Sequence, residues 1–221
     1  MSQQLWSAVD EYVEAQLLEN DPALQEALSS AEQAGLPAIA VTPAQGKLLH
    51  LLARTIGARS ILELGTLGGY SSIWLARALP PEGRLVTLEL SERYAEVARA
   101  SIERAGVAAL VDVRVGPALE SLQLLRSSGE GPFDLVFIDA DKQSTPEYFT
   151  HALELVHPGS LIVVDNVVRD GGLIDAQSVD PGVQGMRRFH ELLTGESRVS
   201  ATTIQTVGAK GYDGFTLALV E

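Results

Sequence analysis

The sequence predicts a doubly wound α/β fold with a helical N-terminal cap and a C-terminal antiparallel hairpin, and three observations carry that reading. From Gly57 onward, short apolar runs rich in β-branched residues alternate with Ala-, Leu- and Glu-rich stretches of helical length, the pattern of buried parallel strands joined by crossover helices. Near the end the alternation stops, because two strand-like runs follow one another with no room for a helix between them. Before Gly57 only helical patterns occur.

Residues 2–19, 21–34 and 43–56 read as helices, with Asp21-Pro22 and Thr42-Pro43 as start signals. They form a cap over residues 1–56, available as a roof over a site or as a subunit contact. The strands are SILELG (60–65), RLVTLEL (84–90), VDVRVG (111–116), FDLVFID (133–139) and SLIVVDN (160–166). Between them, residues 71–79, 91–105, 119–127 and 146–157 are long enough to be crossover helices. SATTIQTV (200–207) and FTLALV (215–220) complete the sheet as a hairpin at one edge, with Asp213-Gly214 as its turn signal. No repeat, low-complexity tract or linker divides the chain, so residues 1–221 read as one domain, with a core over 57–221.

At 221 residues, 46% hydrophobic, the chain can bury a core without disulfides or a structural metal. Its 29 acidic and 16 basic residues leave a net charge of -13, which repels phosphate backbones and anionic lipid and disfavours a nucleic-acid partner. The absence of cysteine excludes disulfides, thiolate zinc sites and a cysteine nucleophile. No apolar run has the length of a bilayer span and the N-terminal residues carry acids, so the expected location is the cytoplasm, away from membranes.

In open α/β sheets ligands bind at the carboxyl ends of the strands. The first strand closes as Glu63-Leu64-Gly65-Thr66-Leu67-Gly68-Gly69-Tyr70-Ser71, a turn whose glycines allow close backbone approach and whose following helix aims free N–H groups at the same space. Glu89 closes the second strand 24 residues after Gly65, placed to accept hydrogen bonds from a ribose diol. Together these features suit a nucleoside cofactor and leave a nicotinamide dinucleotide open. Asp139 ends the fourth strand, and Asp165-Asn166 the fifth. Neighbouring strand ends lie about 5 Å apart, and two carboxylates that close repel unless a cation or proton sits between them. Oxygen ligands alone suit Mg2+, Mn2+ or Ca2+. Lys142 is either a base beside this pair or a surface lysine paired with Asp141. His50, His151, His157 and His190 are isolated on helices or helix ends, and Trp6 and Trp74 fit helical packing patterns.

ELGTLGGYSS, Glu89, IDADK (138–142) and VVDN (163–166) together resemble the metal-dependent O-methyltransferases typified by catechol and caffeoyl-CoA O-methyltransferases, especially their short bacterial members. The resemblance covers nearly the whole chain and implies a Rossmann-like seven-stranded class I methyltransferase fold in a homodimer. It implies that Glu63, Gly65, Thr66 and Ser71 contact the methionine portion of S-adenosylmethionine under Val41, that Glu89 holds the ribose and that Ala118 meets adenine. Asp139, Asp165 and Asn166 would hold the cation, Mg2+ first, and Lys142 would be the general base. The acceptor would be a small molecule with a hydroxyl, catechol-like or another vicinal diol. A metal holding two adjacent oxygens acidifies a hydroxyl and aligns it with the sulfonium methyl. Three positions depart from many relatives. Pro117 replaces an acid near the adenosine. Ala140 stands where the animal catechol enzyme has histidine. Arg169 replaces a tryptophan beside the acceptor ring, either to pair with an anionic group on the acceptor or as a solvated loop residue. The alternatives are the same chemistry on a tRNA hydroxyl, a nicotinamide-dependent dehydrogenase, or a fold kept only as a binding scaffold.

Overall fold

Three helices open the chain in the computed structural model, which describes residues 2–221: α1 (Gln3–Leu17), α2 (Pro22–Gln33) and α3 (Pro43–Thr55). The predicted start signals act as read. Asp21 accepts from the N–H groups of Ala23 and Leu24 (3.0 and 3.2 Å), Thr42 accepts from that of Gln45 (3.2 Å), and a proline follows each cap. Asp21 also pairs with Arg77, tying the cap to the core. α1 buries no residue and is held by polar contacts instead: Gln3 donates to the carbonyls of Gly208 and Ala209 (2.8 and 2.9 Å), and Asp10 accepts from the N–H of Ala209 (2.6 Å).

The rest of the chain runs β1 (Ser60–Leu64), α4 (Tyr70–Ala76), β2 (Arg84–Glu89), α5 (Glu92–Arg104), β3 (Val111–Val115), α6 (Ala118–Ser127), β4 (Phe133–Ile138), α7 (Thr145–Ala152), β5 (Val156–Asp165), α8 (Pro181–Gly195), β6 (Val199–Gly208) and β7 (Gly211–Val220). One seven-stranded sheet results, in the order β3-β2-β1-β4-β5-β7-β6, with β1 to β5 parallel and β7 antiparallel to both its neighbours. Side chains alternate between two buried layers. Leu62, Leu64, Val136, Ile138, Ile162 and Val164 pack with Phe149 and Phe189 on one side. Ile61, Leu135, Phe137 and Val163 pack with Leu49 of α3 and Ile73 of α4 on the other. Both faces are apolar, which is why these strands read as continuous hydrophobic runs. The same alternation puts Glu63, Thr87, Glu89, Asp139 and Asp165 on the α3/α4 side of the sheet. No helix among the described residues is long and apolar enough to cross a membrane.

Three expectations need correction. The helix expected over 146–157 ends at Ala152, and His157 lies in β5. β5 pairs with β4 at Val156, then shifts register around Pro158-Gly159 before Leu161; proline cannot donate to the ladder, and the bulge absorbs it. The hairpin turns at Ala209-Lys210, between the paired Gly208 and Gly211, whereas Asp213 and Gly214 lie within β7. A side chain at Gly214 would strike the carbonyl of Ile204 at 2.5 Å, so its glycine serves strand packing and not a turn. Finally, α8 fills a segment to which no element was assigned, packing Val183, Met186 and Phe189 on the sheet.

Candidate active site

The ends of β1 and β4 meet through backbone. Gly65 adopts φ +98°, and a Cβ there would lie 2.4 Å from the carbonyl oxygen of Asp139, so only glycine fits. The contact is sealed by Asp139 N–H donating to Leu64 O and Gly65 N–H donating to Leu88 O, both 2.9 Å. α4 begins after Gly69 with no side-chain cap, leaving its first N–H groups directed at the strand-end space. Glu89, 8% exposed, accepts from Leu67 N–H through Oε2 (2.8 Å) and from Ser91 N–H through Oε1 (2.9 Å). It therefore pins the glycine turn, and each oxygen keeps a lone pair for a ligand hydroxyl.

Glu63 is fully buried. Its Oε2 accepts from Thr87 Oγ1 (2.7 Å) and from the Ser72 hydroxyl, while Oε1 has no partner. Burial pushes the carboxyl up to about 7, opposed by the neighbouring hydroxyls of Ser71, Ser72 and Thr87, and the charge of Asp139 adds to the rise. Since Thr87 donates to Glu63, Thr66 must donate to Thr87 (2.6 Å), and its buried side chain faces β2. Val41 is buried in the α3/α4 layer. Ala118 opens α6 behind Pro117, which offers no side-chain cap, so the N–H groups of that first turn are open to an acceptor atom.

Ile138 and Val164 are register partners, which sets Asp139 beside Asp165. Asp165 is 4% exposed; burial, then the Asp139 charge, hold its carboxyl well above the usual range, opposed by Lys142, the Asn166 N–H (2.8 Å) and the Gln45 side chain. Asn166 turns the chain at φ +56°, a conformation asparagine tolerates. Lys142 reaches Asp139 Oδ1 at 2.5 Å, with both side chains largely buried. The rival pairing with Asp141 is not formed, because that carboxylate accepts from the Ser144 N–H (3.1 Å) and the Tyr148 hydroxyl. Among the described residues no three His, Cys, Asp or Glu side chains cluster; Asp139 and Asp165 are two carboxylates, and Asn166 is the amide oxygen beside them. Such a hard, all-oxygen set fits a divalent cation with open positions, and the two crowded carboxylates give it an electrostatic reason to bind.

Sequence reasoning missed four contributors. Ser72 lay inside the quoted glycine motif. Thr87 is the register partner of Glu63 and becomes visible only once β1 and β2 are aligned. Gln45 reaches Asp165 from the roof, across a separation no spacing rule reveals. Gly185 of α8 lies against the Lys142 turn so closely that a Cβ would sit 2.1 Å from Lys142 O.

With this geometry in hand, the comparisons with known proteins agree. The O-methyltransferase family profile matches residues 14–220. The chain is 51% identical over 221 residues to a catechol O-methyltransferase of Niastella koreensis, covering all of both chains. It is 52% identical over 212 residues to a catechol O-methyltransferase of Mycobacterium tuberculosis, covering 96% of this chain and 94% of that one. Among solved structures, an O-methyltransferase from Bacillus cereus in complex with SAH matches with a TM-score of 0.98 at 55% identity over all of both chains. The O-methyltransferase of tomaymycin synthesis from Streptomyces achromogenes, in complex with SAM, matches at 0.96 and 57% identity over 100% of this chain and 99% of that one. The dehydrogenase alternative falls, since the inserted antiparallel β7, the paired strand-end carboxylates and the full-length relatives all point elsewhere. This chain belongs to the O-methyltransferase family of S-adenosylmethionine-dependent enzymes.

Proposed function

We propose that this chain methylates one hydroxyl of a small catechol-like acceptor, using S-adenosylmethionine and a divalent cation held by Asp139, Asp165 and Asn166. The observation that carries the reading is the buried Asp139–Asp165 pair with Lys142 lodged against it; the names of the relatives support the acceptor class. Asp139 also faces the cofactor side through its backbone contact with Gly65. Glu63 Oε1, buried without a donor, suits the cofactor's ammonium, reached with Gly65, Thr66 and Ser71 under Val41. Thr66 would contribute its backbone and a hydroxyl oxygen that can only accept, its proton being given to Thr87. Glu89 holds the ribose diol and the first turn of α6 at Ala118 meets adenine. When bound, S-adenosylmethionine supplies an electrophilic sulfonium methyl, and the cation, Mg2+ first and Mn2+ or Ca2+ otherwise, supplies positive charge that acidifies the acceptor hydroxyl. Lys142, the ammonium partner of Asp139, would first give its own proton to solvent once a cation neutralises that carboxylate; its neutral Nζ would then take the hydroxyl proton, and the buried site keeps water from the methyl donor.

We also assign a homodimer contact to α1, whose outer face stays apolar. The acidic chain makes RNA a poor acceptor. The test is transfer of labelled methyl from S-adenosylmethionine to a panel of vicinal-dihydroxy phenols, with Mg2+, with chelator and with Asp165→Asn. Product that needs the cation and falls by at least roughly a hundredfold in the variant supports the reading; chelator-resistant product rejects the cation.

A further inference from the structure

The loop 166–171 leaves β5 directly after Asp165, and it is built under constraint. Asn166, Arg169, Asp170 and Gly171 all have positive φ (56°, 56°, 53° and 84°), a concentration that persists only where the surroundings over-determine the backbone. Those surroundings are Asp213, whose Oδ1 accepts from the N–H groups of Val168 (2.9 Å), Arg169 (3.0 Å) and Gly214 (2.9 Å). Arg169 therefore starts from a fixed backbone. Its side chain runs towards the start of α8, where a Cβ on Gly182 would lie 3.4 Å from Lys142 Cβ and 3.7 Å from Arg169 Nε. The guanidinium and the stem of the candidate base thus flank one small glycine.

Arg169 Nε is buried with no hydrogen-bond partner, and the residue joins none of the ion pairs among the described residues. Other arginines outside ion pairs still find acceptors, Arg84 and Arg104 in serine hydroxyls and Arg93, Arg187 and Arg188 in backbone carbonyls, whereas Arg169 alone among the arginines of the described residues keeps a buried nitrogen without one. Asp180, the acid next to Gly182, instead caps α8 by accepting from Gly182 and Val183 N–H (2.7 and 3.0 Å). A buried N–H without a partner costs free energy unless a ligand supplies the acceptor. The planar fork of arginine matches a carboxylate, which accepts two parallel N–H bonds.

We infer that Arg169 is an anion-recognition point for the methyl acceptor, one that takes a carboxylate attached to the diol-bearing ring. The inference rests on the catechol-like reading above and adds the acceptor's charge class. The experiment measures kcat/KM with S-adenosylmethionine and Mg2+ for 3,4-dihydroxyphenyl acids with zero, one or two carbons between ring and carboxylate, each beside its methyl ester. Wild-type enzyme should prefer at least one free acid over its ester by roughly tenfold or more, the factor of one charge-assisted hydrogen bond. Arg169→Met, which keeps the stem and removes the charge, should abolish that preference with the ester within roughly threefold of wild type; Arg169→Lys should keep part of it. Methylated esters with no acid preference at any length overturn this inference alone. So does an Arg169→Met variant that loses acid and ester turnover equally. No product from any acid or ester overturns it together with the catechol reading.

Discussion

Lys142 sits where electrostatics and geometry coincide, three residues beyond Asp139 and ion-paired to it in a largely dry environment. With a cation held at Asp139, Lys142 would no longer be needed to neutralise that carboxylate and, after losing its proton to solvent, would face the acceptor hydroxyl as the neutral amine. Lys142→Ala should then lower kcat by about 10²–10⁴, the usual weight of a positioned base, with the dissociation constant for S-adenosylmethionine within roughly threefold of wild type by calorimetry. Equal losses in both would make the lysine a structural counter-ion instead. Spacing alone left this residue balanced between a base and a partner of Asp141, because a sequence does not say which of two nearby acids is already engaged. Glu63 was similar. Its place at the end of the first strand was readable, but its unpartnered Oε1 depends on Ser72 and Thr87 converging on the other oxygen, and that follows from the β1–β2 register.

At the scale of elements, α8 is the largest feature the sequence reading passed over. Its signals were present, namely Asp180-Pro181 as a start and Val183, Met186 and Phe189 on one face, but Gly182, Gly185 and Gly195 weaken the helical pattern. Those glycines have their own logic, since at Gly185 the helix backbone rests directly on the turn that carries Lys142. Gly185→Ala must push that turn away, so it should cut kcat by roughly tenfold or more while leaving cofactor affinity within roughly threefold, as expected for displacement of one reacting group. A proportional fall in cofactor affinity would instead signal general unfolding. A second element contact ties the start of β1 to β5: Asp134 accepts from the N–H groups of Arg59 and Ser60 and from His157 Nε2, while His157 Nδ1 faces Pro158 O. Both ring nitrogens face acceptors, which only the imidazolium satisfies, and the Pro158 carbonyl and then Asp134 raise the His157 pKa above its ordinary 6.5. A raised pKa stabilises fully below about 6.5 and is lost as pH climbs through the folded value. Asp134, held low by backbone and histidine hydrogen bonds despite burial, keeps its share above 3.8 and loses it on further acidification. His157→Gln should therefore lower the melting temperature by about 1–2 °C near pH 5.5, a size limited by solvent screening, and the gap should close by pH 9. A gap constant with pH would exclude the charged pair.

For the molecule as a whole, alternation of strands and helices made the doubly wound core and the edge hairpin readable, since burial on both faces writes itself into continuous apolar runs. The hairpin turn was misplaced because Asp213-Gly214 has turn composition, yet it serves the loop beside the site. What a single chain does with α1 is a question of assembly. Leu5, Val9, Tyr12, Val13 and Leu17 recur at helical spacing, and all are exposed, Leu17 by 73% and Tyr12 by 68%. Ile204 and Val207 of β6 are exposed as well, on the edge strand that α1 packs beside. A stripe of this kind on a helix that fully buries none of its residues is what a symmetric partner would cover. Each chain brings a charge of -13, so association must overcome repulsion that salt screens, while apolar burial is not weakened by it. Light scattering should therefore give twice the chain mass at micromolar concentration, with dissociation favoured at about 0.02 M salt and suppressed at about 0.5 M. Val9→Glu combined with Leu17→Glu should give the single-chain mass at both, with the helical circular-dichroism signal and a cooperative melt retained because neither side chain is buried within its own chain. A wild-type chain that stays monomeric at high salt would leave α1 without this role.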